Sequence, residues 1–219
     1  MASAGDESQE SHEQMMRATY RALCAHGFAN LTMQDIADEM GKSRTLLHYH
    51  YDTKDELLNA YLDRMIGWLG DRLAASETEH PVDRLAEYIH FFVIDPDEEA
   101  QSFARAIIEM RLQAVHNETF REKLTNHYEE NVAAVAGIIE DGIESGMFQE
   151  VDPSAAGEAI YTAMVGARSY QITLDAGDAT ARMAAQIWGT SQLCLFTESA
   201  REYCESPAFP SEEFPSLEK

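Results

Sequence analysis

Residues 31–58 constrain the fold more than any other stretch, because apolar and turn-forming residues recur there at helical spacing. From Met33 to Met40 the apolar residues fall at i, i+3, i+4 and i+7, which predicts a short helix with one buried face. Gly41 follows the last of them, where a left-handed backbone can end a helix without a Cβ clash. A second short helix and a longer one follow, so the stretch predicts a helix-turn-helix.

Polar residues at the start of each short helix support this interpretation. Thr32 precedes the first helix and Asp35 lies three residues later, the spacing at which two side chains cap a helix reciprocally. Ser43 is placed to cap the second helix, Arg44 to Tyr49. On that helix we expect Leu47 to face the core and the other side chains to point away. Their mixture suits a probe of the DNA major groove, with phosphate contacts on its flank.

The same residues resemble the N-terminal signature of the TetR family of transcription regulators, G-x-S-x-x-x-L-Y-Y-H-F followed by a K-x-x-L helix start. The sequence here is GKSRTLLHYHYDTKDELL, and the positions that agree are Gly41, Ser43, Leu47, Tyr49, His50, Tyr51, Lys54 and Leu57. The upstream helix from Glu13 to His26, followed by Gly27-Phe28, fits as well. Lys42 departs from the pattern, since the family commonly has a small apolar residue there.

The resemblance implies that the second short helix reads DNA. Arg44, Thr45 and Leu46 are the expected base readers, facing a guanine, a base edge and a thymine methyl, and Gln34 of the preceding helix is a further candidate. The residues better placed for phosphates are Thr32, Ser43, His48, Tyr49, His50 and Lys54. The alternative for the two histidines is metal binding or surface decoration, although their i, i+2 spacing disfavours a shared metal.

The net charge of −23 is at odds with DNA binding, because phosphates repel carboxylates, and the distribution of charge resolves only part of this conflict. Residues 1–75 hold 7 Lys and Arg against 12 Asp and Glu, whereas residues 76–219 hold 9 against 27. Between Gly41 and Lys54 three cations face one acid, so a locally positive patch survives. Only 4 of the 16 cations are Lys, which favours a halophilic source; an acidic mesophilic regulator is the alternative.

Helical patterns without strand-like alternation predict an all-α fold of about nine helices, a three-helix N-terminal module followed by a larger C-terminal helical bundle. We expect a DNA-binding domain at 11–56 and an effector-binding and dimerisation domain at 57–205. The segments 1–10 and 206–219 are expected to be flexible tails. The last helix is expected to run from Ala179 to Cys204.

Several classes of protein are disfavoured by composition. No apolar run approaches the roughly 18 residues that span a bilayer, and the N-terminus is not a secretory signal, so we expect a cytoplasmic protein without a membrane partner. Cys24, Cys194 and Cys204 are too scattered for a disulfide framework or a zinc site. A redox switch that joins Cys194 and Cys204 is the alternative.

The stretch SGMFQEVDPSAAGEAIYTAMVGA also resembles the family, which implies that the last two helices pair with their copies across a two-fold axis. The interface candidates are Ala159, Ala163, Gly166, Ile187, Trp188 and Leu195. Burial of these helices within one chain is the alternative. Polar and methionine residues on apolar helices could line an effector cavity, although each alone is more often a surface or core residue. These candidates are His90, Arg105, Met110, His127, Tyr128, Tyr161, Met164 and Arg168.

Together these features predict a dimeric repressor that binds a palindromic double-stranded DNA operator and is released by an unknown small molecule. We expect no enzyme, cofactor or metal, because the sequence lacks phosphate loops, nucleophile elbows and clustered Cys/His sets. One alternative is an all-α small-molecule carrier or protein-interaction module that has lost DNA readout. Another is a helical metalloenzyme built on the Glu-x-x-His pattern from Glu87 to His90.

Overall fold

The computed structural model describes residues 4–74, 78–93, 98–174, 176–214 and 217. Its helices are α1 (Ala4–Asn30), α2 (Met33–Met40), α3 (Arg44–His50), α4 (Lys54–Ala74), α5 (Pro81–Phe91), α6 (Glu98–Gln113), α7 (Glu118–Glu144), α8 (Pro153–Thr173), α9 (Ala179–Cys194) and α10 (Glu198–Glu205). Within these described ranges there is no β-strand, only one isolated bridge between Phe148 and Phe196. The all-α prediction is confirmed.

The helix expected from Ala179 to Cys204 is instead two helices, α9 and α10, so the described residues hold ten helices rather than about nine. The Leu195 carbonyl accepts the Gln149 N–H at 2.7 Å, and the Thr197 N–H donates to the Met147 carbonyl at 2.9 Å. These bonds satisfy backbone groups that a continuous helix would pair internally. Pairing with the turn after α7 therefore overrides the local helical spacing.

The turn after α7 depends on a glycine in that helix. The Phe148 ring folds back over Gly142, where an added Cβ would lie 2.0 Å from Phe148 Cδ2. The same ring stacks on Phe196, with ring centroids 5.2 Å apart and planes 5° from parallel. A larger residue at position 142 would push Phe148 out of this stack.

Packing divides the chain into two compact units. Unit 1 comprises residues 1–70 and 96–124, and unit 2 comprises residues 71–95 and 125–219. The division falls inside α4 and α7, so it does not coincide with the boundary predicted between residues 56 and 57. The predicted assignment of separate DNA-binding and effector-binding domains remains a prediction about function.

The core of unit 1 draws on α1, α2, α3, α4, α6 and the start of α7. Its buried members are Met15, Met16, Ala18, Ala22, Leu23, Phe28, Leu31, Met33, Ile36, Ala37, Leu47, Leu57, Leu58, Tyr61, Leu62, Ala106, Met110 and Phe120. Helix α6 packs along α1. The first three helices therefore do not form a complete core by themselves, because residues far along the chain complete it.

Unit 2 has a separate aromatic-rich core, and the end of the chain belongs to it. Phe209, Phe214 and Leu217 are buried there, and Phe209 stacks on Trp188 with ring centroids 5.5 Å apart. The segment expected to be a flexible tail from 206 is therefore packed, because its apolar side chains have a core to join. Residues 215–216 and 218–219 of that predicted tail lie outside the described residues.

The N-terminal segment also differs from expectation. Residues 1–10 are predicted to be a flexible tail, yet α1 begins at Ala4. Residues 1–3 lie outside the described residues. Helix α1 is broken near its end at Gly27, whose φ of 70° and ψ of 166° are not helical.

Candidate nucleic-acid interface

Helix α2 begins with the reciprocal cap that the sequence predicts. Thr32 Oγ1 accepts the Asp35 N–H at 3.2 Å, and the Thr32 N–H donates to Asp35 Oδ2 at 2.8 Å. The Thr32 hydroxyl, and after it the Thr32 N–H, hold the pKa of Asp35 below its ordinary value. Gly41 ends the helix in the left-handed conformation, with φ 64° and ψ 29°. Both predictions for this helix are confirmed.

Helix α3 exposes polar side chains and buries one apolar side chain. Arg44 and Thr45 are exposed, Leu46 is half-buried, and Leu47 is 0% exposed within the core of unit 1. The buried leucine fixes which face of α3 turns inward. The first turn of the helix is therefore accessible to a large partner.

Contacts along α3 order its outer side chains. Arg44 Nε donates to His48 Nε2 at 3.1 Å, one helical turn away. Tyr49 is 83% exposed, and its ring meets the His50 ring edge to face at 5.1 Å between centroids. Side chains that are already ordered lose less conformational entropy when they bind.

Lys54, an expected phosphate contact, also serves the packing of unit 1. Its Nζ donates to the Leu31 carbonyl at 3.0 Å and lies 5.3 Å from the centroid of the Phe28 ring. The side chain is half-buried by these contacts. Because an ammonium has three donors, the bond to Leu31 leaves capacity for a phosphate.

All ten residues expected at DNA belong to unit 1. Eight are exposed, and Leu46 and Lys54 are half-buried. Gln34 donates to Asp38 Oδ1 at 2.7 Å on the surface of α2. Ser43 occupies the N-cap position of α3 but makes no side-chain cap hydrogen bond, so the cap predicted there is not formed.

Charge is distributed unevenly around this surface. Three arginines of α1 and α4 pair with carboxylates: Arg17 with Glu13 at 3.3 Å, Arg21 with Glu39 at 2.9 Å, and Arg64 with Glu13 at 2.6 Å. Within the described part of the chain, Lys42 and Arg44 form no such ion pair. The positive patch expected after Gly41 therefore keeps two exposed cations.

Two residues from beyond the helix-turn-helix support it, and sequence reasoning missed both. The Phe28 N–H donates to Glu109 Oε2 at 2.5 Å, across 81 positions of the chain. The Phe28 ring meets Phe120 edge to face at 6.1 Å between centroids. No local spacing marks such partners, and only the apolar pattern of α7 indicates that Phe120 is buried.

The effector candidates fall in both units. Arg105 is exposed and Met110 is buried in the core of unit 1. Met110 is therefore no longer a candidate for lining an effector cavity. Helix α6 packs on α1, and Met110 belongs to the core of unit 1. The other six candidates, His90, His127, Tyr128, Tyr161, Met164 and Arg168, belong to unit 2.

Buried polar groups of unit 2 bond to one another. The Tyr88 hydroxyl donates to Asn131 Oδ1 at 3.3 Å, and Asn131 Nδ2 donates to the His127 carbonyl at 2.8 Å. Burial raises the pKa of the Tyr88 hydroxyl. Such groups are costly inside a core unless they are paired, and here they are paired.

Two of the remaining candidates of unit 2, Tyr161 and Arg168, contact neighbouring aromatic rings. Tyr161 is buried and packs edge to face on Tyr128 and on Phe92, with centroids 5.6 and 5.8 Å away. The Tyr128 hydroxyl donates to Glu158 at 2.6 Å. Arg168 lies 5.2 Å from the Phe92 ring centroid and donates to the Phe92 carbonyl at 3.2 Å. Met164 is fully buried, and burial lowers the pKa of His90.

The interface candidates separate into two groups. Trp188 and Leu195 are buried in the core of unit 2, where Trp188 packs against Phe196 and Phe209. These two residues are therefore no longer candidates for the dimer interface, because other residues of the same chain already bury them. The candidates that keep some exposure are Ala159, Ala163, Gly166 and Ile187.

Neither a metal-binding cluster nor a membrane-spanning helix occurs in the described ranges. Among those residues, no three His, Cys, Asp or Glu side chains come together as a group that could hold a metal. No helix there combines the length and the apolar character needed to cross a bilayer.

Two family models match the chain. Residues 16–61 match bacterial regulatory proteins of the tetR family, and residues 107–188 match a tetracyclin repressor-like C-terminal domain. The first span contains all ten residues expected at DNA.

Curated relatives align over part of their length. The HTH-type transcriptional regulator TtgR of Pseudomonas putida is 36% identical over 80 residues, which cover 36% of this chain and 38% of that protein. The negative transcriptional regulator of the biofilm operon icaADBC, IcaR of Staphylococcus epidermidis, is 24% identical over 114 residues, 47% of this chain and 61% of that one. The chain thus spans between about two fifths and three fifths of these relatives.

Solved structures align over most of the chain. A TetR transcription regulator from Haloarcula marismortui ATCC 43049 is 34% identical with a TM-score of 0.80, covering 85% of this chain and 99% of that one. A transcriptional regulator from Saccharomonospora viridis in complex with choline shares the fold, at 19% identity and a TM-score of 0.77, over 87% and 100% of the two chains. All of these relatives are named as regulators of transcription. The chain therefore belongs to the tetR family of bacterial regulatory proteins, which are DNA-binding regulators of transcription.

Proposed function

We propose that the chain is a cytoplasmic repressor that binds a palindromic operator as a homodimer and leaves it when a small molecule binds. The observation that carries this proposal is the exposure of Arg44 and Thr45 on α3 above the buried Leu47. A helix of seven residues makes few base contacts, so two copies on successive half-sites are needed to read enough sequence.

Base reading is assigned to the exposed first turn of α3. Arg44 pairs with the O6 and N7 acceptors of a guanine, Thr45 bonds a base edge, and Leu46 contacts a thymine methyl. Gln34 contributes from α2. The contacts assigned to phosphates come from Thr32, Ser43, His48, Tyr49, His50 and Lys54, which position the protein without reading sequence.

This proposal is tested by competition between the DNA upstream of the coding region and random DNA in a gel-shift assay. Arg44→Ala should relax sequence preference at one position in each half-site, at a cost of about 1 to 3 kcal/mol. Lys42→Ala removes a neighbouring exposed cation and should weaken all sequences alike. Equal losses on every sequence for both variants would remove Arg44 from base reading.

Dimerisation is assigned to α8 and α9 through Ala159, Ala163, Gly166 and Ile187. Small residues let helices approach closely, and apolar side chains near the ends of these helices are exposed: Tyr170 by 60%, Leu174 by 67% and Leu193 by 81%. Ala163→Glu should shift the mass in analytical ultracentrifugation toward a monomer. The same change at the exposed Ala133 of α7 should leave the mass unchanged.

Effector recognition is assigned to unit 2, among His90, His127, Tyr128, Tyr161 and Arg168. Aromatic rings beside paired polar groups provide the apolar walls and the few oriented donors that small-molecule sites use. Release follows when the effector binds better to a conformation in which the two reading helices no longer match successive grooves. Compounds that weaken operator binding of the unchanged protein, but not of Tyr161→Ala, would support this assignment; equal responses of both proteins would remove it.

The charge balance supports operation in concentrated salt, and with it a halophilic source. Carboxylates remain hydrated where salt is abundant, and only 4 of the 16 cations are Lys. Specific binding then depends more on base contacts and dimerisation than on counterion release.

A further inference from the structure

A carboxylate of α6 holds the backbone where α1 gives way to α2. Glu109 Oε2 accepts the Phe28 N–H at 2.5 Å. The break at Gly27 leaves this N–H outside the regular hydrogen bonding of α1, since φ at Gly27 is 70°. Without Glu109, the amide of a residue that is only 8% exposed would lack this acceptor.

Glycine at position 27 allows the carboxylate to come close. An added Cβ there would lie 3.0 Å from Glu109 Oε2 and 3.3 Å from Oε1. Such contacts are tighter than ordinary van der Waals distances, and the positive φ separately favours glycine. The backbone turn and the side chain from α6 are therefore fitted to each other.

Two further contacts hold the same segment, residues 27–32, which we term the α1–α2 connection. The Phe28 ring packs edge to face on the fully buried Phe120 of α7 and under the Lys54 ammonium. That ammonium also binds the Leu31 carbonyl at 3.0 Å. The next residue, Thr32, caps α2, so these contacts fix where α2 begins and hence where α3 lies.

We propose that Glu109 is a positioning residue for DNA recognition, acting through the Phe28 N–H to hold the α1–α2 connection. The inference rests on the proposed DNA-binding function. Glu109 lies within the span that matches the C-terminal domain of the family, residues 107–188. It nevertheless belongs to unit 1, which also contains α2 and α3. A change that withdraws α6 therefore loosens α2 and α3 directly.

The test compares three variants of the full chain by operator binding, random-DNA binding and hydrogen exchange of the Phe28 amide. Glu109→Ala removes the acceptor of the Phe28 N–H. Operator affinity should fall about tenfold, because the loosened α2 and α3 must become ordered when they bind DNA. Binding to random DNA should change less, since phosphate contacts tolerate imprecise geometry. Glu109→Gln keeps an acceptor oxygen and should stay within about threefold of the unchanged protein. Glu122→Ala alters an exposed carboxylate of α7 and should change nothing.

Hydrogen exchange keeps the inference testable without DNA, and also if Glu109→Ala fails to fold. The Phe28 amide should be protected in the unchanged protein and in Glu109→Gln. Exchange at the rate of an exposed amide in the unchanged protein would overturn the inference, and so would operator binding by Glu109→Ala equal to that of the unchanged protein. Equal losses in the Gln and Ala variants would overturn it as well. An unchanged protein that fails to prefer its upstream DNA would instead refute the proposed function.

Discussion

Single side chains of unit 1 satisfy backbone groups that helices cannot satisfy themselves. The first N–H groups of any helix lack carbonyl partners within the helix. At α2 the Thr32 hydroxyl oxygen accepts one of these N–H groups, that of Asp35. The Asp35 carboxylate returns the bond to the Thr32 N–H. This exchange of hydrogen bonds is local. The three-residue spacing of Thr32 and Asp35 is therefore enough to predict it.

Thr32→Ala removes that cap. The free energy of unfolding should fall by about 1 kcal/mol, the usual cost of losing a threonine cap, in urea denaturation at neutral pH. Thr119→Ala, an exposed change in the first turn of α7, should lower it far less. Similar losses in both variants would contradict a specific role for the cap.

The same bonds make part of the stability depend on pH. They lower the folded-state pKa of Asp35 below the ordinary value of 3.8, so its carboxylate stabilises the fold above that value. This stabilisation is lost as the pH falls from 3.8 through the lower folded-state pKa. The difference in stability between the unchanged protein and Thr32→Ala should therefore shrink over that window, and a difference that grows there would contradict the argument.

The two C-terminal cysteines differ in exposure, and we expect them to differ in reactivity. Burial, and after it the nearby Asp83 carboxylate, raises the pKa of the Cys204 thiol to about 11, whereas Cys194 is exposed. Because the thiolate is the reactive form, iodoacetamide at pH 7.5 should label Cys194 well before Cys204, as measured by peptide mass spectrometry. Equal or faster labelling of Cys204 would contradict this order.

Among the helices, those with local signals were predictable and those with distant partners were not. The turn at Gly41 and the inward Leu47 follow from spacing alone, and both are confirmed. The end of α9 does not follow from spacing. It depends on the Leu195 carbonyl, which accepts the Gln149 N–H from a turn that no periodicity in the sequence predicts. The same reason hid Glu109, whose partner Phe28 lies 81 residues away.

The C-terminal segment packs as part of unit 2, although the sequence predicts a flexible tail there. Phe209 is 9% exposed and stacks on Trp188. Phe209→Ala should lower the free energy of unfolding by about 3 kcal/mol, the cost of deleting a buried aromatic ring, and shift Trp188 emission to longer wavelength. Glu212→Ala, an exposed change in the same segment, is the matched control. A variant as stable as the control would mean that the segment does not pack on the core in solution.

Across the whole chain, negative charge and DNA binding are reconciled by where the cations lie. The chain carries −23 overall, but the start of α3 keeps Lys42 and Arg44 exposed and outside the ion pairs found among the described residues. Arg17, Arg21 and Arg64 are held by carboxylates and contribute less to an approaching phosphate. The attraction for DNA is therefore confined to a small patch.

That confinement predicts a shallow dependence of operator affinity on salt. Because Arg44 is assigned to a base, Lys42 and Lys54 are the two cations of each copy that meet phosphates, and a dimer neutralises about four phosphates with them. The logarithm of affinity should then fall with the logarithm of salt with a slope of about −4. Lys42→Gln removes two of these contacts per dimer and should reduce the slope by about 2. A titration in potassium chloride that gives a slope near about −10 would mean that many more phosphates are neutralised. Cations other than Lys42 and Lys54, on the otherwise acidic surface, would then have to contact phosphates.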